Sequence, residues 1–270
     1  MGKSSEKPLI LLTNDDGIQS PGLWAAAQAL SPLGTVSIVA PCQQWSGAGR
    51  SLPAGSDGII TRQQVSAYGK DWSAYCVGGT HAQAVLHALY EILPQRPQLV
   101  VSGINYGENL AIGVTVSGTV GAALEAAARG IPALAISLET DLEHHLSYSS
   151  QIDFSAAAHF AHRFARLVLQ RRMPADVDVL KIDVPSDATP ETAWEINRLS
   201  RREYFEPVAP QRKNWDEPGG MGYRTVPDPQ SHDPESDVYA VRIRRVVSVA
   251  PLSLDLTSRV DLQELKHLLI

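Results

Sequence analysis

Short apolar runs alternate along this chain with stretches of helical period. "LILLT" over 9–13 is apolar enough for a strand buried on both faces, and "GLWAAAQAL" after Pro21 carries the period of a helix. "VSIVA" follows over 36–40. The stretch 80–93 places Val85, Leu86, Leu89, Ile92 and Leu93 on one stripe; "LVVSG" then begins at Leu99, and an alanine-rich helix runs over 119–129. "ALAISL" from Ala133, a helix with Phe160, Phe164 and Val168 in register, and "VLKIDV" from Val179 complete the series. Strands joined by crossover helices predict the α/β class, doubly wound around a mostly parallel sheet, over residues 8–185.

Residues 1–7 read as a loose tail. Past Pro185 the periodicity fades, and 201–237 is rich in Pro, Gly, Asp and Arg, with "GYRTV" as a short β-like piece. A long, weakly periodic stretch in a compact protein is usually functional, disordered or packed on a partner. Residues 186–270 are therefore expected to form an extension: an arm used in oligomer contacts, then a terminal helix near 262–269. In "RIRRVV", strand alternation would send Arg242, Arg244 and Arg245 to different faces, for solvent or for ion pairs between subunits.

Composition narrows the function. A chain of 270 residues with 44% hydrophobic content can bury a full core. Its net charge of −6 gives no long-range positive field to gather nucleic acid or an anionic membrane. No apolar run approaches the roughly 18 residues needed to cross a bilayer, and "MGKSSEKP" lacks the apolar segment of a signal peptide. Cys42 and Cys76 suggest neither a disulfide framework nor a metal-type spacing. The expectation is a cytoplasmic protein with neither a nucleic-acid duplex nor a membrane as partner.

The candidate chemistry lies at the ends of the predicted strands. In an open parallel sheet, ligands bind beyond the carboxyl ends of the strands, and "NDDG" sets Asn14, Asp15 and Asp16 at the end of the first. Two adjacent carboxylates raise each other's protonation, and a divalent cation such as Mg²⁺ or Mn²⁺ relieves both. The same residues also suit an Asx turn or a helix cap before "PGLWAAAQAL". The loop "PCQQWSGAGRSL" presents Ser46 and Gly47, and "INYGENL" presents Asn105 and Asn109. "SGTVGAA" has the form of an anion-binding helix start through Ser117, Gly118 and Thr119, or of a hydroxyl cap with packing glycines. It is neither a Walker A loop nor a dinucleotide fingerprint.

"ILLTNDDGIQSPGLWAAAQAL", "VAPCQQWSGAGRSL", "VVSGINYGENLAIGVTVSGTVGAALEAAARGIPALAIS" and "SDVYAVRIRRVVSVAPLSLDLT" together resemble the SurE family of stationary-phase survival nucleotidases, in order and over nearly the whole chain. The resemblance implies a Rossmann-like fold whose C-terminal extension swaps between subunits, giving homodimers and homotetramers. It implies a metal-dependent phosphomonoesterase for nucleoside 5′- and 3′-monophosphates, with short polyphosphate as a further substrate of some members. One divalent ion per subunit, Mg²⁺ or Mn²⁺, is expected on Asp15, Asp16, Ser46 and Asn105, with Asp15, Asp16 and Asn105 as the catalytic set. Asn14, Gly47, Asn109, Ser117, Gly118 and Thr119 are expected to hold the substrate and its phosphate. A noncatalytic nucleotide or metal sensor on the same fold is the alternative.

The chain departs from that family where "GTHAQA" places His81, Gln83 and Ala84 in place of a proline, an acid and a cysteine, and where Asp183 replaces an asparagine. Direct attack by water is preferred to a phospho-aspartate route, because "DD" lacks a D-x-D spacing. No residue is marked as the proton donor to the leaving group. His81 reads as a helix-start or surface histidine ahead of a catalytic one, and His144 and His145 as an exposed pair. Among Trp45, Tyr106 and Tyr223, Tyr106 is best placed in the sequence to stack on a base, though packing is the commoner use of such rings. Arg50 suits phosphate, ribose or its own loop.

Overall fold

A computed structural model describes residues 7–226 and 228–270, so most of the 1–7 tail lies outside the described residues. In chain order the elements are β1 (Leu9–Thr13), α1 (Pro21–Leu30), β2 (Thr35–Pro41), β3 (Ile60–Ala67), β4 (Lys70–Val77), α2 (His81–His87), β5 (Leu99–Tyr106), α3 (Gly118–Ala127) and β6 (Ala133–Leu138). There follow α4 (Ser155–Gln170), β7 (Val179–Val184), β8 (Trp194–Ile196), β9 (Phe205–Val208), β10 (Gly222–Thr225), α5 (Asp237–Tyr239), β11 (Val247–Leu252) and α6 (Leu262–Leu268).

Nine strands form one twisted sheet in the order β3-β4-β2-β1-β5-β6-β7-β11-β8. From β4 to β7 all neighbours are parallel. The continuous apolar runs that mark these strands follow from burial on both faces. Ile10 and Leu12 of β1 face α1 and α4, in one apolar layer with Trp24, Phe160 and Phe164. Leu11 faces the other way, into the layer built by α2 and α3 with Val85, Val120 and Ala123. The fold is thus a doubly wound, mostly parallel α/β sandwich, as the periodicity predicts.

The chain leaves β1 toward β2 on one side and meets β5 on the other, so the winding reverses between β1 and β5. In such sheets a reversal of winding leaves a crevice past the strand ends, which is where ligands bind.

Three features lie beyond the periodicity. The β3–β4 hairpin adds an antiparallel edge, turning at Tyr68 and Gly69, both with positive φ, as the twist of a tight hairpin requires. The sheet also runs on past residue 185: β11 pairs antiparallel with β7, and β8 lies parallel beside β11. β9 and β10 form a separate two-stranded ribbon. "RIRRVV" is not a strand at its start. Residues 240–244 continue α5 as a wide helical turn, and Arg245 ends it in a left-handed conformation. The helical turn brings Arg242 and Arg245 together on Glu139 and sends Arg244 to Glu195, all within one chain.

Cys42 and Cys76 are joined as a disulfide between the end of β2 and β4. Their 34-residue separation carries no sequence signal, but parallel pairing of Ala40 with Cys76 brings the two together. The cysteines therefore give no support to a reducing compartment. Among the described residues no helix is long and apolar enough to cross a membrane.

Within β7, Lys181 is wholly buried and pairs with Asp183 and with Asp237, whose Oδ2 lies 3.2 Å from Nζ. Removing one partner of a buried ion network leaves charge without compensation. Lys181→Met is expected to lower the unfolding free energy by about 3–5 kcal/mol, read by urea denaturation. A loss below about 1 kcal/mol would show that the network does not hold the extension to the sheet.

Candidate functional site

β1 ends in a turn that Asn14 builds. Its Nδ2 donates to the Gly17 carbonyl and its Oδ1 accepts from the Gly17 amide, both at 3.1 Å. Gly17 has φ +97°, a conformation glycine reaches without strain. Asn14 thus builds the turn with one of its two N–H groups and one lone pair of its oxygen. The turn pushes Asp15 and Asp16 to the crevice floor, where Asp16 is 1% exposed.

Each carboxylate has its own set of donors. Thr119 donates to Asp15 Oδ1 at 2.5 Å, and the Asp15 carbonyl accepts from the Trp45 amide at 2.8 Å. Gly118 lies so close to Asp15 that a Cβ there would overlap the carboxylate; glycine is what lets α3 start against it. Asp16 accepts from Gln44 Nε2 at 3.1 Å and, at a long 3.4 Å, from the Tyr106 amide. Burial pushes the Asp15 carboxyl above its usual range, against the pull of His81 and Thr119. Asp16 is pushed well above, by burial first and by the charge of Asp15 second.

Gln44 is the residue that the sequence reading missed. Its Nε2 also lies 3.0 Å from Ser46 Oγ and 2.9 Å from the His145 carbonyl, so one amide ties Ser46 to Asp16. Nothing in "PCQQWSG" distinguishes it from Gln43. Gly47, with φ +74°, stands in open space beside Ser46.

Asn105 comes from the end of β5, where the pairing register with β6 shifts between Ser102 and Asn105. Such an irregularity re-aims the side chains that follow it. Asn105 Nδ2 donates to the carbonyls of Tyr106 and Gly107, which leaves its Oδ1 without a protein donor among the described residues. Asp15, Asp16, Ser46 and Asn105 thus sit on one rim, while Asn109 lies one step away: its Nδ2 donates to Ser137 and its backbone amide to Asp183.

At the start of α3, the Ser117 hydroxyl accepts from the Val120 amide as a cap, and the Thr119 hydroxyl is committed to Asp15. Thr119 has thereby spent its proton inside the protein, whereas Ser117 accepts as a cap and keeps its own proton to donate. The donors without a protein acceptor at this helix end, among the described residues, include the Gly118 and Thr119 amides and the Ser117 hydroxyl.

Several other expectations change. Tyr106 is no stacking surface: it is buried, its hydroxyl donates to the Ser149 carbonyl, and its ring meets Phe154 edge-on. His81 does start α2, but it is wholly buried, with its Nε2 on the Gly49 carbonyl and its Nδ1 without a partner. His145 is buried against Tyr223 rather than exposed. Arg50 pairs with Glu125 of α3. Gln83 closes a capping box with Thr80, and Asp183 pairs with Lys181, so both departures from the family pattern have a structural use.

Fold and rim together define a doubly wound α/β protein with an oxygen-rich site for a small ligand at its switch point. The family model described as Survival protein SurE matches residues 10–206, and the chain belongs to that family. The 5′-nucleotidase SurE of Thermococcus gammatolerans is 44% identical over 262 residues, which cover 96% of this chain and 95% of that protein. The protein of the same name from Thermococcus kodakarensis is 43% identical, over 96% and 98%. The crystal structure of the SurE protein from Aquifex aeolicus superposes with a TM-score of 0.76 at 29% identity, covering 97% of this chain and all of that one.

Beside the rim, Glu108 is buried with Tyr204 donating to its Oε1 at 2.6 Å, and burial pushes its carboxyl up to about 7. The folded protein holds this proton to higher pH than the unfolded chain. The carboxyl therefore costs no stability below its ordinary value near 4.5, and a growing amount as pH rises through about 7. Glu108→Gln, which keeps an acceptor for Tyr204, is expected to be more stable than the parent at pH 8 by about 1–3 kcal/mol. The advantage should vanish near pH 5. Urea unfolding at both pH values measures this, and an equal difference at the two would exclude ionisation as its cause.

Proposed function

We propose that this protein is a divalent-metal-dependent phosphomonoesterase that hydrolyses nucleoside 5′- and 3′-monophosphates, with short polyphosphate as a further substrate. One observation carries the reading: two adjacent carboxylates are buried at the switch point, and their own hydrogen bonds do not offset the cost. They face neutral oxygen donors, and the 5′-nucleotidase names of the relatives supply the substrate class.

The residues present fit a hard cation. Among the described residues no cluster of three or more His, Cys, Asp or Glu side chains is arranged to hold a metal, so a cation here depends on Ser46 and Asn105 beside the two acids. All four offer oxygen, which suits Mg²⁺ or Mn²⁺ over softer metals. When bound, such an ion neutralises phosphoryl charge and makes water acidic enough to attack near neutral pH.

The chain's own groups do the rest. The Gly118 and Thr119 amides, at the positive end of α3, hold phosphoryl oxygens. Gln44 fixes Ser46 relative to Asp16, and Thr119 fixes Asp15. Ser117 shapes this helix end as its cap, and Asn109 braces the loop behind Asn105. Homodimers, and pairs of them, belong to the same proposal, as does a cytoplasmic location. The support for assembly is α6, whose Leu262, Leu265 and Leu268 are exposed on their own chain.

Phosphate release from a panel of nucleoside 5′- and 3′-monophosphates, with Mg²⁺, Mn²⁺ or EDTA, tests this. Release is expected with either ion and not with EDTA. Asp15→Asn should reduce it by at least about 100-fold while folding stability is kept or raised, since the variant relieves repulsion in the metal-free protein. Unchanged turnover in that variant would sink the metal assignment. Metal binding without release from any monophosphate would favour the sensor.

A further inference from the structure

The ribbon of β9 and β10 brings an aromatic cluster to the rim of the site. Tyr223 on β10 is 42% exposed, yet its ring is held in place. It stacks on His145 at an interplanar angle of 28° with centroids 6.0 Å apart, and its hydroxyl lies 3.0 Å from His145 Nδ1. Phe205 of β9 meets the ring edge-on at 5.5 Å. Phe205 in turn packs on Tyr204, which Glu108 anchors. One face and one edge of Tyr223 are thus fixed from within, and the remainder of the ring is open.

The support beneath Tyr223 reaches the candidate metal ligands through two short links. The His145 ring lies directly over Gly107, where a Cβ would overlap it, and the Gly107 carbonyl accepts from Asn105. The His145 backbone carbonyl accepts from Gln44, the side chain that ties Ser46 to Asp16. Tyr223 therefore stands on the wall of the crevice whose floor holds the two carboxylates. Tyr106, adjacent to Asn105 in sequence, is buried and committed, which removes the competing ring on β5.

We propose that Tyr223, backed by His145, is the surface on which the base of a nucleotide substrate stacks, so that the β9–β10 ribbon completes the substrate site. The inference rests on the nucleotidase reading above. An immobilised ring loses little conformational entropy when a base covers it, and every base offers a π-face. The platform accordingly confers affinity for nucleotides over base-free phosphomonoesters, with little choice among bases. Its contribution is to binding in both ground and transition states, because the ring touches no reacting atom.

The test compares steady-state kinetics on AMP, UMP and ribose 5-phosphate for the parent, Tyr223→Phe and Tyr223→Ala, with the oligomeric state of each checked by size-exclusion chromatography. Tyr223→Ala is expected to raise KM for AMP and UMP by about tenfold, with kcat unchanged and with KM for ribose 5-phosphate unchanged. Tyr223→Phe keeps the ring and should stay within about twofold of the parent on every substrate. If all three substrates shift together in the alanine variant, with or without a change of oligomer, Tyr223 is an architectural residue and the proposal fails. It fails equally if nothing shifts. Should the parent release phosphate from none of them, the nucleotidase reading fails first and the platform with it, which separates the two failures.

Discussion

Everything around the crevice answers to one constraint: Asp15 and Asp16 are adjacent, buried and of like charge. A carboxylate removed from water survives only where donors or positive charge replace the lost hydration. The structure supplies donors to the carboxylates from three directions: Thr119 on α3, Gln44 after β2, and the Tyr106 amide at the end of β5. The Trp45 amide holds the Asp15 backbone carbonyl. Tyr148 adds a bond to the Asp16 carbonyl at 2.7 Å, which closes the turn from above. These bonds do not restore the two groups to the ordinary carboxylate range, so the floor of the crevice stays short of positive charge. The shortfall is a cost of the fold that the rest of the core must outweigh.

A second buried network serves a different purpose. Lys181, Asp183 and Asp237 lie under the rim, and the two carboxylates also accept backbone amides: Asn109 on Asp183, and Ala111 and Ser200 on Asp237. Four stretches distant in sequence, at 109–111, 181–183, 200 and 237, are thereby fixed to one another. A neutral amide at position 183 could accept the same Asn109 amide, but it would leave Lys181 with Asp237 as its single carboxylate. Ion pairing has taken over a task that an uncharged side chain could share, in a place where no water competes.

The sheet was legible because its strands are buried on both faces and its helices on one, which stamps period and continuity on the sequence. The β3–β4 hairpin was not, since its outer positions face solvent and its residues are mostly polar. The rim residues Asp15, Asp16, Ser46 and Asn105 could be marked from residue type and from position at strand ends. What each hydroxyl or amide does could not. Ser117 and Thr119 carry the same look of anion ligands, yet Thr119 spends its proton on Asp15 while Ser117 caps its helix and keeps its own, a choice made by packing at the scale of an ångström. Gln44 has no local signature at all, because its role depends on partners up to 101 residues away. The disulfide escaped for the same reason, being a consequence of strand pairing.

The extension is joined to this rim by a seam unlike the main core. Leu110, Ala111, Tyr204, Val238 and Val241 form a small apolar cluster of their own, flanked by the Glu108–Tyr204 bond and the Lys181 network. Residues 107–111 contribute to that seam and, through Gly107, to the wall behind Asn105. One short loop thus carries the wall behind Asn105 on one side and the docked extension on the other, so the rim and the extension share a single support.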